Sequence, residues 1–393
     1  MAACGDDDGD PEAESTTTAG EAGSTGDGEG ASGDPLRIGH LNLQEFVPEA
    51  RLGAEVAADY VNTELGGVNG RPIEYETCDS DPSPEKTIDC ANQLVESGVE
   101  LVQVGIDVNL DAAMPIFESA GIPVTGHVAL TPQARTSDDA VFFGASFVSG
   151  AAAPLYHLAD EGIESVTYLM GESPASHELV ESGVEPVAES LDLDYDTVYF
   201  DASTDFAVLV ATAMADDPDA IGSPVATEPE CLGFIGALRS AGYDGTIIAG
   251  QCTSFIEELG PDAAAGVLTI SDRWRPDDPD AAPEAKQEDI QTYVDAMTAA
   301  GEEDAINGFA FFYFATTIDM ARALEGVTGE YDGASMLEAM KAVKDVDSFM
   351  GPTISCDGSL VEDESMCSTG WLTYEVTDEG SMRALSSDFV DGS

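Results

Sequence analysis

The chain has 393 residues, 43% of them hydrophobic, so it is long enough for two domains with substantial cores. Its formal net charge is −64, because 77 acidic side chains stand against 13 basic ones. Binding to nucleic acid or to an anionic membrane surface needs basic patches, and this composition excludes both. Residues 1–35 account for ten of the acids and contain no Lys or Arg, which leaves −54 for the remainder. We interpret this excess as a surface adapted to high salt, where like charges are screened.

The first 35 residues predict a disordered acidic tether. They are mostly Gly, Asp, Glu, Ser, Thr and Ala, and they would bury too little apolar surface to offset their ordering entropy. The opening Met-Ala-Ala-Cys-Gly resembles the end of a lipoprotein signal, with Cys4 as the lipidated residue. The apolar stretch of such a signal is missing, so we expect the natural start to lie further upstream. The alternative is a cysteine near the start by chance.

The next stretch predicts a strand–helix–strand–helix unit. Leu36–Leu43 has the pattern of a strand, and apolar residues recur at helical spacing through RLGAEVAADYVNTEL, which begins at Arg51. Gly66-Gly67 ends that helix, and Ile73–Thr77 forms the next strand. A second amphipathic helix covers Thr87–Glu96. This alternation predicts parallel strands with crossover helices.

The same stretch carries a family resemblance. LGGVNGRPIEYETCDSDPSPEKTIDCANQLV resembles the first lobe of type I periplasmic binding proteins, nearest to the branched-chain amino acid (Leu/Ile/Val-type) substrate-binding components of ABC importers. Its most specific features are the GG-x-x-G turn, the spaced Cys78 and Cys90, and the late segment FMGPTISCDGSL. The likeness extends over about residues 36–385. It implies an α/β protein of two doubly wound parallel-sheet lobes joined by a three-strand hinge.

Beyond the first unit the alternation continues. Further strands are predicted at Glu100–Gly105, within GIPVTGHVAL, and at Val141–Phe147, Ser165–Met170, Asp196–Phe200, Ala220–Ser223, Thr246–Gly250 and Gly266–Ser271. Further helices are predicted at Asp111–Ala120, Ala151–Glu161, His177–Ser190, Phe206–Ala215, Cys231–Ala241, Thr253–Leu259, Gln287–Ala300 and Phe309–Leu324. The apolar run Ala310–Met320 is too short and too polar to span a membrane.

The resemblance implies that the chain crosses three times between the lobes. We expect the crossings near residues 144–150, 271–276 and 351–355. Lobe one would then comprise residues 36–145 and 275–350, and lobe two residues 146–272 and 353–390.

Six cysteines remain when Cys4 is set aside, and they fall into three sequence-local pairs. Six cysteines allow 15 pairings, and locality alone does not decide among them. Each local pair nevertheless brackets a step where the chain returns close to itself, and the resemblance favours two of the three. We therefore predict the disulfides Cys78–Cys90, Cys231–Cys252 and Cys356–Cys367. Zinc-type spacing is absent, and three disulfides imply an oxidising compartment outside the cytoplasm.

Ligands of open α/β sheets bind beyond the carboxyl ends of the strands, and that rule selects the candidate side chains. Two of them have an obvious alternative role as helix caps, Asp107 and Asn109, and a lone histidine such as His127 is often structural. The aromatic pair could line the cleft or pack the core and hinge. The full candidate set is Asp107, Asn109, His127, Thr131, Glu172, Ser173, Glu228, Gln251, Thr253, Phe309 and Trp274.

The loops depart from the amino acid-binding pattern of the family. Those members hold the ligand carboxylate with hydroxyl-rich turns, whereas the corresponding loops here are GIDVNLDA and GHVALTP. The glutamate expected near Gln251-Cys252 for the ligand ammonium is missing. The sequence therefore predicts the transport family with a changed ligand, small and polar or amino-acid-like.

The function predicted is a solute-binding lipoprotein of an ABC importer, a monomer on the outer face of the membrane, with a permease as partner and with no cofactor or metal. A hydrolase is disfavoured because the sequence has no GxSxG elbow, P-loop, HExxH or dinucleotide-binding turn. An extracellular sensor domain of the same fold is the other alternative, and it would need a following transmembrane helix.

Overall fold

The computed structural model describes residues 30–201, 203–360 and 365–391. Within these ranges two β-sheets are flanked by helices, so the predicted two-lobed α/β fold is confirmed. Cys4 and most of the predicted tether lie outside the described residues. Strands and helices are numbered below along the chain.

The first sheet is parallel and six-stranded, in the order 13-5-4-3-1-2. Its central strands are buried on both faces, as parallel strands covered by helices must be. The strands are β1 (Leu36–Asn42), β2 (Ile73–Asp79), β3 (Leu101–Val104), β4 (Val124–Gly126), β5 (Ala140–Ala145) and β13 (Met366–Ser368).

Seven α-helices surround this sheet. The first begins at Pro48 rather than at Arg51, because the fixed φ of proline suits the first helical position. The helices are α1 (Pro48–Thr63), α2 (Pro84–Ser97), α3 (Met114–Ala120), α4 (Pro132–Arg135), α12 (Glu284–Ala300), α13 (Ala310–Leu324) and α14 (Gly333–Lys341). A small antiparallel pair, β11 (Val346–Asp347) and β12 (Thr353–Ile354), follows them.

Helix α13 is the centre of lobe one. It is mostly apolar and buried almost throughout, with Arg322 as its one residue outside the buried set. It packs tightly on α1 at Gly53, where a Cβ would lie 2.1 Å from the carbonyl oxygen of Ala310. Within the described ranges, no helix combines the length and the apolar character needed to cross a bilayer.

The second sheet is mixed rather than wholly parallel. Strands 6 to 10 run parallel, β14 pairs antiparallel with β10, and β15 pairs antiparallel with β14 at the edge, a common ending for a parallel sheet. The strands are β6 (Ser165–Gly171), β7 (Asp194–Phe200), β8 (Ala220–Gly222), β9 (Thr246–Ile248), β10 (Val267–Ser271), β14 (Gly370–Val376) and β15 (Met382–Ala384), with β16 (Val390–Asp391) beside β14. The α-helices of this lobe are α5 (Phe147–Asp160), α6 (Pro174–Leu179), α7 (Glu185–Ser190), α8 (Phe206–Ala213), α9 (Glu228–Ala241), α10 (Ser254–Leu259) and α11 (Pro261–Ala264).

The single helix predicted at His177–Ser190 is instead interrupted. A π-helical turn, Val180–Val184, separates α6 from α7. Pro186 explains why a regular helix cannot run through, since it has no N–H to donate to the carbonyl four residues earlier.

The lobes meet at three crossings, and the third is displaced from its expected place at residues 351–355. Strand β13 pairs with β5 in the first sheet, while β14 pairs with β10 in the second. The chain therefore changes lobe at Thr369, and the described residues 353–360 and 365–368 stay with lobe one. Only Thr369 separates β13 from β14, so the pattern of strands and helices does not mark the crossing.

The three predicted disulfides are confirmed. Cys78–Cys90 joins β2 to α2, Cys231–Cys252 joins α9 to the loop after β9, and Cys356–Cys367 joins β13 to the segment before it. Each bridge lies within one lobe, so none restrains the movement of one lobe against the other.

Candidate ligand-binding crevice

The carboxyl ends of the first sheet are organised by Asn42, a residue that sequence reasoning missed. Its buried side chain accepts a hydrogen bond from the backbone N–H of Ile106 at 2.9 Å and donates to the carbonyl of Val47 at 2.8 Å. It thereby ties the loop after β1 to the loop after β3. Gly105 is required beside it, because a Cβ there would lie 2.4 Å from Asn42 Oδ1.

Asp107 is engaged by its own lobe. Its buried carboxylate accepts from the backbone N–H of Asn109 at 2.8 Å and from the hydroxyl of Thr87 at 3.1 Å. The first contact is a local side-chain turn that precedes the 3₁₀ turn Leu110–Ala112, and it is not the helix cap weighed as the alternative. Asn109 Nδ2 is buried and has no hydrogen-bond partner among the described residues.

His127 lies at the carboxyl end of β4 and contacts the hinge. Its Nε2 is 3.3 Å from Asp272 Oδ1, and its Nδ1 is 3.2 Å from the hydroxyl of Thr316. The ring also packs against Phe312, with 4.9 Å between ring centroids. Both ring nitrogens are thus occupied, so His127 connects lobe one to the second crossing.

Thr131 lies further along the same loop and is nearly buried. Its hydroxyl has no partner within the part of the chain that the structure describes. The backbone N–H groups that follow are capped instead by Asp111, which accepts from Gln133 at 3.0 Å. Thr131 and Asn109 therefore lie in the loops after two adjacent strands, and each has a polar group that makes no hydrogen bond within the described residues.

The second crossing holds a buried charge cluster. Arg273 is completely buried and donates to the carbonyl of Phe143 at 2.8 Å, and Asp272 accepts from the N–H of Ala145 at 2.8 Å. Burial alone would raise the pKa of Asp272, but the charges of His127 and Arg273 outweigh it and lower the pKa to about 2. Burial raises the pKa of Asp319, on α13, to about 6 against the opposing charge of Arg273.

On lobe two, Glu172 and Ser173 follow β6. Glu172 accepts a hydrogen bond from His177 at 2.9 Å, and that imidazole stacks on the ring of Tyr199 with 3.9 Å between centroids. Sequence reasoning missed His177 and Tyr199. An aromatic residue next to the last position of the predicted strand Asp196–Phe200 was the available signal. Ser173 caps α6 by accepting from the N–H of Ser176.

The remaining candidates of lobe two lie in two segments that are linked to each other. They are Glu228, Gln251 and Thr253. Glu228 accepts from the backbone N–H groups of Thr253 at 2.9 Å and Ser254 at 3.0 Å, so it caps α10. The disulfide Cys231–Cys252 fixes the same two loops together. Gln251 and Thr253 flank Cys252 and are half-buried.

The two aromatic candidates differ in accessibility. Phe309 is half-buried at the start of α13 and packs against Phe312. Trp274 is only 1% exposed and makes an edge-to-face contact with Phe389. Trp274 therefore packs the hinge and does not line the crevice in this conformation.

Cavities and clusters of metal-binding residue types were considered as alternative sites in the described residues. A cavity of about 470 Å³ lies between α1 and α12, lined by Tyr60 and Asp295 among others, away from the strand ends. Within residues 30–201, 203–360 and 365–391, no group of three or more His, Cys, Asp or Glu side chains is arranged to hold a metal ion.

Comparison with known proteins points the same way. A family model described as periplasmic binding protein matches residues 42–367, which is most of the chain. No curated protein matches the sequence.

Solved structures share the fold. An ABC transporter substrate-binding protein from Sphaerobacter thermophilus is 22% identical with a TM-score of 0.75, covering 91% of this chain and 98% of that one. The branched-chain amino acid transporter substrate-binding protein from Streptococcus pneumoniae, solved in complex with isoleucine, is 18% identical with a TM-score of 0.71, covering 91% and 99%. A fatty acid ABC transporter substrate-binding protein from Thermomonospora curvata is 14% identical with a TM-score of 0.74, covering 92% and 94%.

Proposed function

The chain belongs to the periplasmic binding protein family, and on that premise we propose that it is the extracytoplasmic solute-binding component of an ABC importer, binding a small molecule by closure of its two lobes. It is a binding protein and not an enzyme. Its partner is the permease of the importer, and it acts as a monomer.

The observation that carries the proposal is the hinge. The second crossing is bound to the first through Arg273 and Asp272, and the first is bound to the third where the N–H of Ser146 donates to the carbonyl of Ser368 at 2.8 Å. The N–H of Arg275 donates to the hydroxyl of Tyr374 on β14 at 3.1 Å, which joins the second crossing to the third. Three strands cross-linked in this way bend as one unit, the behaviour needed for hinge closure around a ligand.

The ligand contacts are proposed from both lobes. Asn109 and Thr131 bring unused polar groups from lobe one, Phe309 brings a half-buried aromatic wall, and Gln251 belongs to the facing edge of lobe two. Asp107, His127 and Glu228 hold the loops that carry these contacts. The loops lack the hydroxyl-rich turns of amino acid-binding members, so we expect a ligand other than leucine, isoleucine or valine.

The placement outside the cytoplasm is supported by the family and by three disulfides, which persist in oxidising compartments. We propose that Cys4 carries a lipid anchor and that the acidic stretch after it is the tether to the membrane. The net charge of −64 fits a protein exposed to high salt.

Native mass spectrometry of protein purified without denaturation tests this proposal. We expect a mass shift from one non-covalently held small molecule per chain, lost after unfolding and regained on refolding with the extracted compound. Conversion of that compound to a product by the purified protein would refute the binding role.

A further inference from the structure

The crevice face of lobe two is unusually short of positive charge. Residues 147–272 contain 23 acidic side chains and one basic one, Arg239. The guanidinium of Arg239 donates to the carbonyls of Ala263 and Ala265, just before β10 begins, and so lies at the edge opposite the crevice. The other arginine in the described part of this lobe, Arg383 on β15, is paired with Glu375, so neither arginine is free to bind an anionic ligand group.

The arginines of the hinge cannot supply the missing charge. Arg273 is completely buried between Phe143 and Asp272. Arg275 is held by Asp277 at 3.0 Å and by the carbonyl of Asn307 at 3.0 Å. Freeing either one for a ligand would leave a buried carboxylate or carbonyl unpaired.

One group of side chains on lobe two is suited to bind a positive charge. It consists of Glu172, His177 and Tyr199, and we call it the lobe-two trio. His177 stacks on Tyr199 at an interplanar angle of 27°, and the side chains of Glu172 and His177 are 55% and 42% exposed. All three lie where β6 and β7 end, and the N–H of Glu172 donates to the carbonyl of Phe200 at 2.7 Å. The stack covers one face of the half-buried Tyr199 ring, and the partly exposed imidazole lies beside the Glu172 carboxylate, an arrangement of aromatic rings and negative charge that attracts cations.

The electrostatic surroundings of the trio agree with this chemistry. The pKa of Tyr199 is raised by burial and by the negative charges of Glu185, Glu172 and Glu181. A negative potential at the ring disfavours a phenolate, and it favours a positively charged group in the same place. On lobe one the loop after β1 leaves Phe46 63% exposed, which adds an aromatic face without charge.

We infer that the ligand is an organic cation, an amine or quaternary ammonium compound, received on lobe two by the His177–Tyr199 stack and the carboxylate of Glu172. This inference rests on the proposed function, because it names the substrate class of the same crevice. His177 and Tyr199 become specificity-determining residues.

Matched probe pairs test it. Choline and 3,3-dimethylbutan-1-ol have the same shape and differ in charge, as do isopentylammonium and 2-methylpentane. Isoleucine and octanoate represent a zwitterion and an anion. Calorimetric titration of the full protein is expected to show binding of at least one cation, at least tenfold tighter than its neutral partner. Equal binding of both members of a pair, binding of octanoate or isoleucine in preference to the cations, or no binding of any cation would overturn the inference.

Variants localise the contact. Glu172→Gln and Tyr199→Leu are expected to weaken cation binding about tenfold, whereas Tyr199→Phe keeps the ring and the affinity. The matched control is Glu189→Gln, which removes the same charge from the exposed end of α7. That end lies just before β7 begins, whereas the trio lies where β6 and β7 end. An equal loss of affinity in the control and in Glu172→Gln would show that the overall negative charge attracts the cation, and it would refute a contact between the cation and the trio.

The two proposals fail in different ways. If a co-purified compound closes the lobes but is anionic or neutral, the cation inference is wrong and the solute-binding function stands. If no compound closes the lobes, the solute-binding function itself is wrong.

Discussion

His127 of lobe one and Asp272 of the second crossing lie 3.3 Å apart, Nε2 to Oδ1, with side chains 7% and 1% exposed. This buried contact therefore joins the loop after β4 to the hinge. Asp272 also faces Arg273, whose Nη1 is 3.5 Å from Oδ2. Removing the Asp272 charge would leave Arg273 buried with only Asp319 nearby, 3.6 Å away.

We expect Asp272→Asn to lower the free energy of unfolding by about 3 kcal/mol, because breaking one side of a buried charge pair leaves the other uncompensated. Urea denaturation at neutral pH measures the change. The matched control is Asp89→Asn on the exposed face of α2, for which we expect less than about 0.5 kcal/mol. A loss in Asp272→Asn no larger than that of the control would contradict the role of the cluster.

The buried carboxylates predict opposite pH dependences. The pKa of Asp319 is about 6, above its ordinary value of 3.8, so the folded state binds the proton more tightly and its stability falls as pH rises from about 4 through 6. Asp272, with a pKa of about 2, contributes stability that is present above pH 4 and is lost as pH falls through 2.

Unfolding free energies measured between pH 4 and 7 test the first effect. The charged carboxylate of Asp319 lowers the stability of the parent as pH rises, and Asp319→Asn removes this effect. We therefore expect the free energy of unfolding of the variant, relative to that of the parent, to increase from pH 4 to pH 7. The same difference at pH 4 and pH 7 would show that Asp319 does not titrate there.

Salt should stabilise the fold. Repulsion within a folded part carrying −54 opposes compactness, and a Debye length of about 3 Å at 1 M salt removes most of it. Melting temperatures in 0.05 M to 2 M potassium chloride are therefore expected to rise steadily. A flat profile would refute the interpretation of the acidic surface as an adaptation to high salt.

The close contact of α1 with α13 gives a paired prediction. Gly53→Ala places a methyl group 2.1 Å from the carbonyl oxygen of Ala310, so the helices must separate, at a cost of about 1–3 kcal/mol in unfolding free energy. Gly236→Ala, inside α9, meets Leu259 at an ordinary 3.7 Å and should be neutral or stabilising by up to about 1 kcal/mol. Equal effects in thermal denaturation would contradict the packing described here.

The fold was largely predictable because its signals are local. Apolar periodicity located most strands and helices, although α1 begins at Pro48, three residues before the predicted start at Arg51. The third crossing escaped prediction because only Thr369 separates β13 from β14.

The site was less predictable, since its contacts join loops far apart in the chain. Asp107 and Glu228 were selected for position, yet their carboxylates are occupied by Asn109 and by Thr253. Asn42 and Tyr199 have no motif around them. Their roles depend on which loops the sheets bring together, and sequence spacing does not contain that information.

Closure of the lobes around a ligand is the central claim, and small-angle X-ray scattering tests it most directly. The radius of gyration is measured for the same preparation with its co-purified ligand and after ligand removal by unfolding and refolding. We expect a smaller radius with ligand bound, and a return to that value when the extracted ligand is added back. An identical radius in the two states, at ligand concentrations that saturate binding, would contradict it.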